Sequence, residues 1–336
     1  MFLPLIWWLW FAVARAQVTC EGDACEAETA ALLQLQKGLE KWHFGGIVPG
    51  DSDYQRLEGA AMPEIPLFGG KLPVEFDARE AWPHCKHVVN HIRDQSNCGS
   101  CWAVGSVSTF NDRLCILKGD TKTILSADDP LANCNSTIEG SSLPTCVKPV
   151  QGGCFGGQLE FVWKWYVEAG AVSGAGFVKA DKHPGSTCAP YPFPPCNSPA
   201  YAGQPECQTN FKTPAPFSQC DHPFKTPYLH NKVKATSWYK VPRKKIQEEI
   251  MARGPVSCQV LATCSMKDYT GGVYVPSGRV CGGHVMRIVG WGVEAGKDYW
   301  WVANSWGPHW GLGGFIKWIR GFDAQGIESG VVAGIC

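Results

Sequence analysis

Apolar residues dominate the start of the chain, where Phe2 to Val13 form an almost unbroken hydrophobic run. This run is shorter than the roughly 20 residues that a helix needs to cross a bilayer. Ala14-Arg15-Ala16 follows it, with small residues where a signal peptidase cuts. No Lys or Arg precedes the run, which departs from the usual signal-peptide pattern. We therefore predict a secretory signal peptide over residues 1–16, with a signal anchor as the alternative.

The segment over residues 17–71 has a different character. Glu26 to Leu39 combines helix-forming residues with the apolar spacing of one amphipathic helix. Gly and Pro then recur up to Gly70, which predicts a loop or extended linker. A segment of this kind between a signal peptide and a denser domain indicates a pro-segment. An N-terminal extension without an inhibitory role is the alternative.

From Leu72 onward the pattern predicts helices first and strands later. One helical face follows Cys101, with apolar residues three or four positions apart until Gly119: Ala103, Val107, Phe110, Leu114 and Leu117. Further helices are predicted at Gln158 to Ala169 and Lys244 to Met251. Strand-like runs occupy Val256 to Leu261, His284 to Gly290, Tyr299 to Asn304 and Gly314 to Ile319. This order favours an α+β fold with two lobes.

Between these parts lies a Pro-rich insert, Pro184 to Pro227, that contains four cysteines: Cys188, Cys196, Cys207 and Cys220. So many prolines disfavour regular secondary structure. We therefore expect disulfides to hold this insert in place.

Composition narrows the functional classes. The hydrophobic fraction is 45% and the charged fraction is 18%, which argues against an intrinsically disordered chain. The formal net charge is zero, so nothing in the charge favours nucleic acid or an anionic membrane as the main partner. The 17 cysteines favour an oxidising compartment. Because 17 is odd, a fully paired framework leaves one sulfur over.

A reactive cysteine is predicted at the start of the first helix of the main domain. Cys101 stands where the positive end of a helix dipole stabilises a thiolate, the form of cysteine that acts as a nucleophile. Gly99 permits a close backbone approach, and Ser100 is the expected N-cap. Cys98 and Cys101 also spell C-x-x-C, but no second pair at zinc-finger spacing and no βαβ pattern supports a zinc or redox site.

Two later positions complete a catalytic pattern. His284 follows two glycines at the start of a predicted strand, a place suited to a general base. Asn304 can accept a hydrogen bond from the imidazole, and Trp306 can shield that bond from water. A lone His or Asn is more often structural. The order Cys, His, Asn, with Gln95 shortly before the Cys, is much more specific.

These residues lie in motifs that resemble the papain family of cysteine proteases, and within it the cathepsin B-like branch. The motifs cover nearly the whole main domain: Leu72-Pro-Val-Glu-Phe-Asp-Ala-Arg79, Ile92-Arg-Asp-Gln95, Cys98-Gly-Ser-Cys-Trp102, Ile288-Val-Gly-Trp-Gly-Val293, Val302-Ala-Asn-Ser-Trp306, Gly326-Ile-Glu-Ser329 and Val331-Val-Ala-Gly-Ile335. The resemblance implies a papain-like two-lobe fold over residues 72–336. A helical lobe and a β-barrel-like lobe would flank an active-site cleft, with the disulfide-rich insert attached.

The resemblance also implies an activity, that of a cysteine endopeptidase made as a zymogen. Cys101 would be the nucleophile beside protonated His284, Asn304 would orient His284, and the Gln95 side chain with the Cys101 N–H would form the oxyanion hole. It implies no cofactor or metal. The implied partners are protein and peptide substrates, the chain's own pro-segment as inhibitor, and cystatin-type inhibitors. The alternatives are an inactive homologue that binds peptides or proteins, and a disulfide-rich structural protein with Cys101 paired.

Further positions are assigned through the resemblance. It implies these substrate-binding residues: Gly99, Gly156, Gly157, Gly283, Trp306 and Gly330. Phe155 stands where the family usually has Asn, and Gly156-Gly157 as an ordinary turn is the alternative. The cathepsin B branch carries a His-His pair in its occluding loop, but here Asn197-Ser198 follows Cys196, so we expect weak or absent carboxydipeptidase activity. Gly330 replaces a Glu of the branch, which predicts apolar or aromatic residues at the second position before the cut.

The resemblance implies the disulfides Cys85–Cys115, Cys98–Cys154, Cys188–Cys220 and Cys196–Cys207, and permits Cys134–Cys146. Sixteen sulfurs allow eight bridges, which would leave Cys101 over, although partners for Cys258, Cys264, Cys281 and Cys336 stay open. Asn135-Ser136-Thr137 is a glycosylation acceptor that is meaningful in the secretory pathway. The expected location is a lysosome-like acidic compartment or the outside of the cell.

Overall fold

The computed structural model describes residues 59–65, 71–134, 152–177, 186–196, 205–207 and 211–336. The chain divides into two compact units, Met1–Trp42 and His43–Cys336, and all described residues belong to the second. The predicted signal peptide and the predicted helix at Glu26 to Leu39 lie outside the described residues.

The described residues form six α-helices and eight strands. The helices are α1 (Ala78–Ala81), α2 (Lys86–Val89), α3 (Cys101–Lys118), α4 (Asp128–Asn133), α5 (Leu159–Glu168) and α6 (Ile246–Arg253). The strands are β1 (Phe76–Asp77), β2 (Ser237–Lys240), β3 (Val256–Thr263), β4 (Val273–Tyr274), β5 (Val280–Glu294), β6 (Lys297–Ala303), β7 (Phe315–Ile319) and β8 (Val331–Ile335). Short 3₁₀ turns occur at Pro83–Cys85, Gly153–Phe155, Tyr228–Asn231, Arg243–Lys245, Cys264–Asp268 and Ala324–Gly326.

Helix α3 is the centre of the first lobe. The prediction of a helix here is confirmed, and it ends at Gly119, whose φ of 71° gives the left-handed conformation that glycine adopts readily. Every residue from Cys101 to Cys115 is buried, so α3 is enclosed on all sides rather than along one apolar face. Phe110 packs against Trp163 and Tyr166 of α5, with ring centroids 5.8 and 5.1 Å apart.

The second lobe is one open sheet with strand order β2-β8-β3-β5-β6-β7-β4, and β1 pairs with β5. All four strand-like runs of the sequence lie in this sheet. Strand β5 is longer than the predicted His284 to Gly290, because glycines interrupt its apolar pattern. One of them, Gly290, is required by packing, since a Cβ there would lie 2.2 Å from the carbonyl oxygen of Phe76 on β1.

Each lobe has its own hydrophobic core, so the predicted α+β arrangement with two lobes is confirmed. The first core contains residues of α3 and α5, including Trp102, Phe110 and Trp163. The second contains sheet residues such as Trp300 and Trp318, packed against α6.

Buried polar contacts join the two lobes. The Arg113 guanidinium of α3 donates to Glu249 Oε1 of α6 at 2.7 Å, and neither side chain has exposed surface. Its Nε also donates to the carbonyl oxygen of Gly334 on β8 at 2.6 Å. Trp163 Nε1 donates to Ser257 Oγ of β3 at 3.2 Å. These contacts fix the position of the sheet relative to α3.

Five disulfides connect described cysteines: Cys85–Cys115, Cys98–Cys154, Cys188–Cys220, Cys196–Cys207 and Cys264–Cys281. The last is a pairing that the sequence left open. Cys134 is also disulfide-bonded, and Cys146 lies outside the described residues. The scheme of eight bridges is wrong, because Cys258 and Cys336 are buried thiols in addition to Cys101. Apolar burial, rather than pairing, explains these two extra sulfurs.

Candidate active site

Cys101 is the first residue of α3, at the boundary between the two lobes. Its Sγ accepts a hydrogen bond from the backbone N–H of Val285 on β5, at 3.3 Å. The first turn of α3 contains no acidic residue. Unpaired N–H groups and the positive end of the helix dipole therefore favour a thiolate at this sulfur.

Ser100 occupies the N-cap position of α3, as predicted, but its side chain makes no capping hydrogen bond. Its hydroxyl is instead hydrogen-bonded to the Tyr191 hydroxyl at 2.7 Å, which directs the Ser100 side chain away from the helix amides. The Tyr191 hydroxyl in turn donates to the backbone oxygen of Gln95 at 2.8 Å. These contacts tie the loop before Cys101 to the insert.

His284 lies on β5 directly opposite Val260 and has no exposed surface. Its Nε2 is 2.7 Å from Oδ1 of Asn304, and its Nδ1 is buried without a hydrogen-bond partner among the described residues. Burial lowers the pKa of His284 to about 4, and the hydrogen bond to Asn304 acts in the opposite direction. A proton stays on this ring near neutral pH only when a neighbouring anion compensates for burial.

Asn304 follows β6, and its Oδ1 is fixed as an acceptor because it also accepts from the Ser305 backbone N–H at 2.8 Å. Nε2 of His284 must therefore carry a hydrogen, which leaves the lone pair of the neutral ring on Nδ1. The Trp306 ring lies over the imidazole, with centroids 5.0 Å apart, as the predicted shield of this hydrogen bond requires.

Ser305 is a positioning residue that the sequence reasoning missed. Its hydroxyl donates to Oε1 of Gln95 at 2.6 Å, and the Gln95 backbone N–H donates to the Ser305 carbonyl oxygen at 2.8 Å. The Gln95 amide nitrogen donates one hydrogen to the Cys98 carbonyl oxygen at 2.9 Å. Among the described residues, its second hydrogen has no acceptor. The sequence feature that could have indicated this role is the position of Ser305 within the Asn-Ser-Trp motif.

The glycines beside Cys101 are held by backbone contacts. The Gly99 N–H donates to the Cys154 carbonyl oxygen at 2.9 Å, and a Cβ on Gly99 would lie 2.4 Å from that oxygen. A Cβ on Gly157 would lie 2.4 Å from the Trp102 ring. Gly156 has a φ of 116°, which other residues rarely adopt. The neighbouring Phe155 is 66% exposed.

Gly283 and Gly330 belong to the other lobe. Gly283 is in β5 directly before His284, and Gly330 directly precedes β8. The backbone N–H of Gln259 on β3 donates to the Gly330 carbonyl oxygen at 3.0 Å.

Taken together, these contacts bring Gln95, Cys101, His284, Asn304 and Trp306 together from both lobes.

The arrangement of a helix-terminal thiol, an imidazole and an amide corresponds to a known family. The model of the papain family cysteine proteases matches residues 72–335. The chain belongs to this family. It is therefore a cysteine-type peptidase, and the two-lobe papain-like fold predicted from the sequence is confirmed.

Cathepsin B-like members of the papain family are among its relatives. The chain is 40% identical over 269 residues to a cathepsin B-like cysteine proteinase of Schistosoma japonicum, covering 79% of this chain and 73% of the relative. It is 40% identical over 267 residues to a gut-specific cysteine proteinase of Caenorhabditis elegans, covering 78% and 73%. The solved structure of procathepsin B S9 from Trypanosoma congolense matches with a TM-score of 0.67 and 27% identity, covering 91% of this chain and 96% of that chain.

Some predicted features fall outside the described residues: Asn135, Cys146, Asn197 and Ser198. Within the described ranges, no group of three or more His, Cys, Asp or Glu side chains is placed to hold a metal ion. No helix in the part of the chain that the structure describes is long and apolar enough to cross a membrane.

Proposed function

We propose that this papain-family peptidase is an endopeptidase with Cys101 as its nucleophile. The observation that carries the proposal is the position of Cys101 Sγ, 3.3 Å from the N–H of Val285, the residue next to His284. The imidazole of His284 is hydrogen-bonded to Asn304 at 2.7 Å. Nucleophile, base and orienting group thus occur in one buried cluster, which is the arrangement that activates a weak nucleophile.

The chemistry follows from the tautomer of His284. Nδ1 of His284 takes the proton of the Cys101 thiol, and the thiolate attacks the substrate carbonyl carbon. The second hydrogen of the Gln95 amide and the Cys101 N–H stabilise the oxyanion, a donor arrangement worth about 3 kcal/mol per donor. The imidazolium then gives its proton to the leaving amine. Water, deprotonated by His284, hydrolyses the thioester and releases the acid.

We assign endopeptidase rather than carboxydipeptidase activity because the His-His pair of the cathepsin B branch is missing. Asn197-Ser198 occupies the place where the cathepsin B branch has two histidines that bind a substrate's C-terminal carboxylate. Neutral side chains offer no positive charge to that carboxylate. Carboxydipeptidase activity is therefore weak or absent, while the Cys188–Cys220 disulfide keeps the frame of the insert.

The chain is synthesised as a zymogen in the secretory pathway, with residues 17–71 as the inhibitory pro-segment. The similarity to a procathepsin structure over 91% of the chain supports this. Cystatin-type inhibitors are expected to compete for the processed cleft. The mature enzyme acts in a lysosome-like compartment or outside the cell, with Asn135 glycosylated.

The test compares two peptides of one sequence after acid processing of the full chain. One peptide has an amidated C-terminus and reports internal cleavage, and the other has a free C-terminal dipeptide. We expect the enzyme to cleave the amidated peptide and to release the dipeptide slowly or not at all. Equal efficiency on both would contradict the endopeptidase assignment. Turnover by Cys101→Ala would contradict the assignment of Cys101 as the nucleophile. A processed protein that cleaves neither peptide would favour an inactive, peptide-binding homologue.

A further inference from the structure

Ser96, directly after Gln95 in the candidate site, has an unusual backbone conformation. Its φ is 57°, in the left-handed region that residues other than glycine avoid because of steric crowding at Cβ. Three other non-glycine residues among those described have a positive φ, and all lie outside the candidate site: Ala295, Asp323 and Gln325. A strained conformation persists only where surrounding contacts hold it, so the contacts of Ser96 indicate what fixes this loop.

Ser96 is held on one side by its own loop and on the other by the Pro-rich insert. The Ser96 N–H donates to Oδ1 of Asp94 at 2.7 Å. The Ser96 hydroxyl donates to the carbonyl oxygen of Pro194 at 2.6 Å. Sγ of Cys196 lies 3.2 Å from the same hydroxyl oxygen, but it has no hydrogen to donate because it is bonded to Cys207. The insert therefore accepts the single hydrogen of the Ser96 hydroxyl.

The insert also binds the residues on both sides of Ser96. The Tyr191 hydroxyl donates to the carbonyl oxygen of Gln95 at 2.8 Å. The Phe211 N–H donates to the carbonyl oxygen of Asn97 at 3.3 Å. Three consecutive residues of the loop are thus each hydrogen-bonded to a different residue of the insert.

These contacts come from two parts of the insert that are fastened to each other. The Phe193 ring stacks on the Phe211 ring, with centroids 4.4 Å apart and 15° between the ring planes. The Cys196–Cys207 disulfide joins the same two parts, since Cys196 follows Phe193 in the chain and Cys207 precedes Phe211. The insert therefore meets the loop as one cross-linked unit.

The loop that the insert holds leads from Gln95 to Cys101. Its other side is fixed to Ser305, which exchanges a backbone and a side-chain hydrogen bond with Gln95. The φ torsion of Ser96 is a rotation between Gln95 and the residues that lead to Cys101. It therefore sets where the Gln95 amide lies relative to the Cys101 N–H.

We propose that the insert is a clamp that holds Ser96 in its left-handed conformation and thereby fixes the Gln95 amide beside the Cys101 N–H. Ser96 is a positioning residue, because it acts through Gln95. The inference rests on the proposed function, in which these two donors bind the oxyanion. Such donors stabilise the transition state only when they are preorganised at about 2.7–3.1 Å from the developing charge, so a relaxed loop costs rate rather than substrate affinity.

Two substitutions of Ser96 separate the backbone conformation from the hydroxyl. Both Ser96→Ala and Ser96→Gly remove the hydrogen bond to Pro194. Ala keeps the steric cost of the left-handed conformation, so the loop relaxes, whereas Gly adopts this conformation readily and the bonds from Tyr191 and Phe211 are kept. We expect Ser96→Ala to lower kcat about 3- to 10-fold with little change in KM, and Ser96→Gly to retain most of kcat. A hydroxyl that acted only through its own hydrogen bond would give equal losses in the two variants.

Tyr191→Phe tests the clamp from the side of the insert. It removes the hydroxyl that donates to Gln95 and keeps the ring, so kcat should fall by about 3- to 10-fold with little change in KM. Gln325→Ala and Gln325→Gly are the matched controls, because Gln325 has a φ of 58° in a loop outside the candidate site. Neither control should change kcat.

The experiment measures kcat and KM of each processed variant, and of Ser96→Ala in a Gln95→Ala background, where it should cause almost no further loss. Equal kcat values for Ser96→Ala and Ser96→Gly, or additive losses in the double variant, would overturn the inference. Thermal unfolding identifies a variant that does not fold, and if Ser96→Ala fails in this way, an unchanged kcat in Tyr191→Phe would overturn the inference instead. An unsubstituted enzyme without turnover, or an unchanged kcat in Gln95→Ala, would overturn the proposed function, and this inference with it.

Discussion

Nε2 of His284 lies 2.7 Å from Oδ1 of Asn304, and both side chains are buried. The Ser305 N–H holds the same oxygen at 2.8 Å, so Asn304 presents an acceptor that cannot rotate away without losing a second bond. This relationship sets the tautomer of His284 and leaves its Nδ1 lone pair for the proposed proton transfer. It also opposes the lowering of the His284 pKa by burial.

Replacement of Asn304 by Ala should therefore lower kcat by about 10- to 100-fold, since a buried hydrogen bond to a charged group contributes about 1.5–3 kcal/mol. The loss arises because the imidazolium formed during catalysis has no acceptor for its Nε2–H. Asn304→Asp keeps the acceptor and adds a negative charge, so it should retain more activity and extend the pH profile to higher pH. Steady-state kinetics from pH 4 to 8 check both effects. An unchanged pH profile in both variants would contradict the orienting role.

The Ser305 hydroxyl positions Gln95 by donating to its Oε1 at 2.6 Å. Ser305→Ala should lower kcat by about 3- to 10-fold with little change in KM, since one neutral hydrogen bond contributes about 0.5–1.5 kcal/mol. Ser305→Thr keeps the hydroxyl and should recover most of the activity.

A double-mutant cycle distinguishes this role from a general structural one. In a Gln95→Ala background, Ser305→Ala should have almost no further effect on kcat, because the group that it positions is absent. Additive losses in the double variant would show that Ser305 does not act through Gln95.

The buried carboxyl group of Asp128 should make the free energy of unfolding depend on pH. Burial, together with the neighbouring Asp129 and Asp221 carboxyl groups, raises its pKa to about 8. Its Oδ1 is buried without a hydrogen-bond partner among the described residues. The folded state therefore holds a proton that the unfolded chain releases above about pH 4, and stability falls as pH rises from about 4 to about 8.

Asp128→Asn should remove this dependence. Between pH 5 and pH 7 its free energy of unfolding should fall by about 2–3 kcal/mol less than that of the unsubstituted chain, at about 1.4 kcal/mol per pH unit. Urea unfolding at the two pH values measures it. The control is Asp120→Asn, because the Asp120 carboxylate accepts from the Lys122 and Thr123 N–H groups and its pKa is lowered. Its removal should not protect the protein at neutral pH. Equal pH slopes for Asp128→Asn and the unsubstituted chain would refute the assignment.

Arg113 stabilises the contact between the lobes through Glu249, Tyr239 and three carbonyl oxygens. Arg113→Met should cost about 3–5 kcal/mol, because it removes one of the two guanidinium groups that pair with the buried Glu249 at 2.7 Å, the other being that of Arg253. Arg113→Met/Glu249→Gln should recover part of this loss, since no carboxylate then stays buried. Differential scanning calorimetry measures the Tm of each variant, and a double variant no more stable than the single one would contradict the argument.

Sequence patterns predicted the elements whose apolar spacing is regular. Helix α3 and the runs in β3, β6 and β7 fall close to the expected bounds because short-range spacing decides them. Strand β5 was underestimated, since Gly290 is required by the approach of β1, a contact far away in sequence. The side-chain capping bond of Ser100, which is the N-cap residue, is missing for a similar reason, because Tyr191 in the insert binds its hydroxyl.

In the candidate active site, too, short sequence motifs were predictable and contacts between distant segments were not. Motifs indicated the proposed catalytic residues Gln95, Cys101, His284 and Asn304, because the residue types needed for this chemistry stand in short recognisable segments. The Ser305–Gln95 hydrogen bond and the contact of Gln259 with Gly330 were not predictable in this way. Both depend on residues brought together by sheet register and lobe packing, which the local sequence does not encode.

The most direct test of Cys101 as the nucleophile is covalent labelling of the processed enzyme with a peptide that carries a thiol-directed electrophile, followed by peptide mapping. We expect one adduct, on Cys101, in parallel with loss of activity, no adduct in Cys101→Ala, and unchanged labelling in Cys258→Ala, which removes another buried thiol. An adduct on a different cysteine, or turnover that survives in Cys101→Ala, would contradict it.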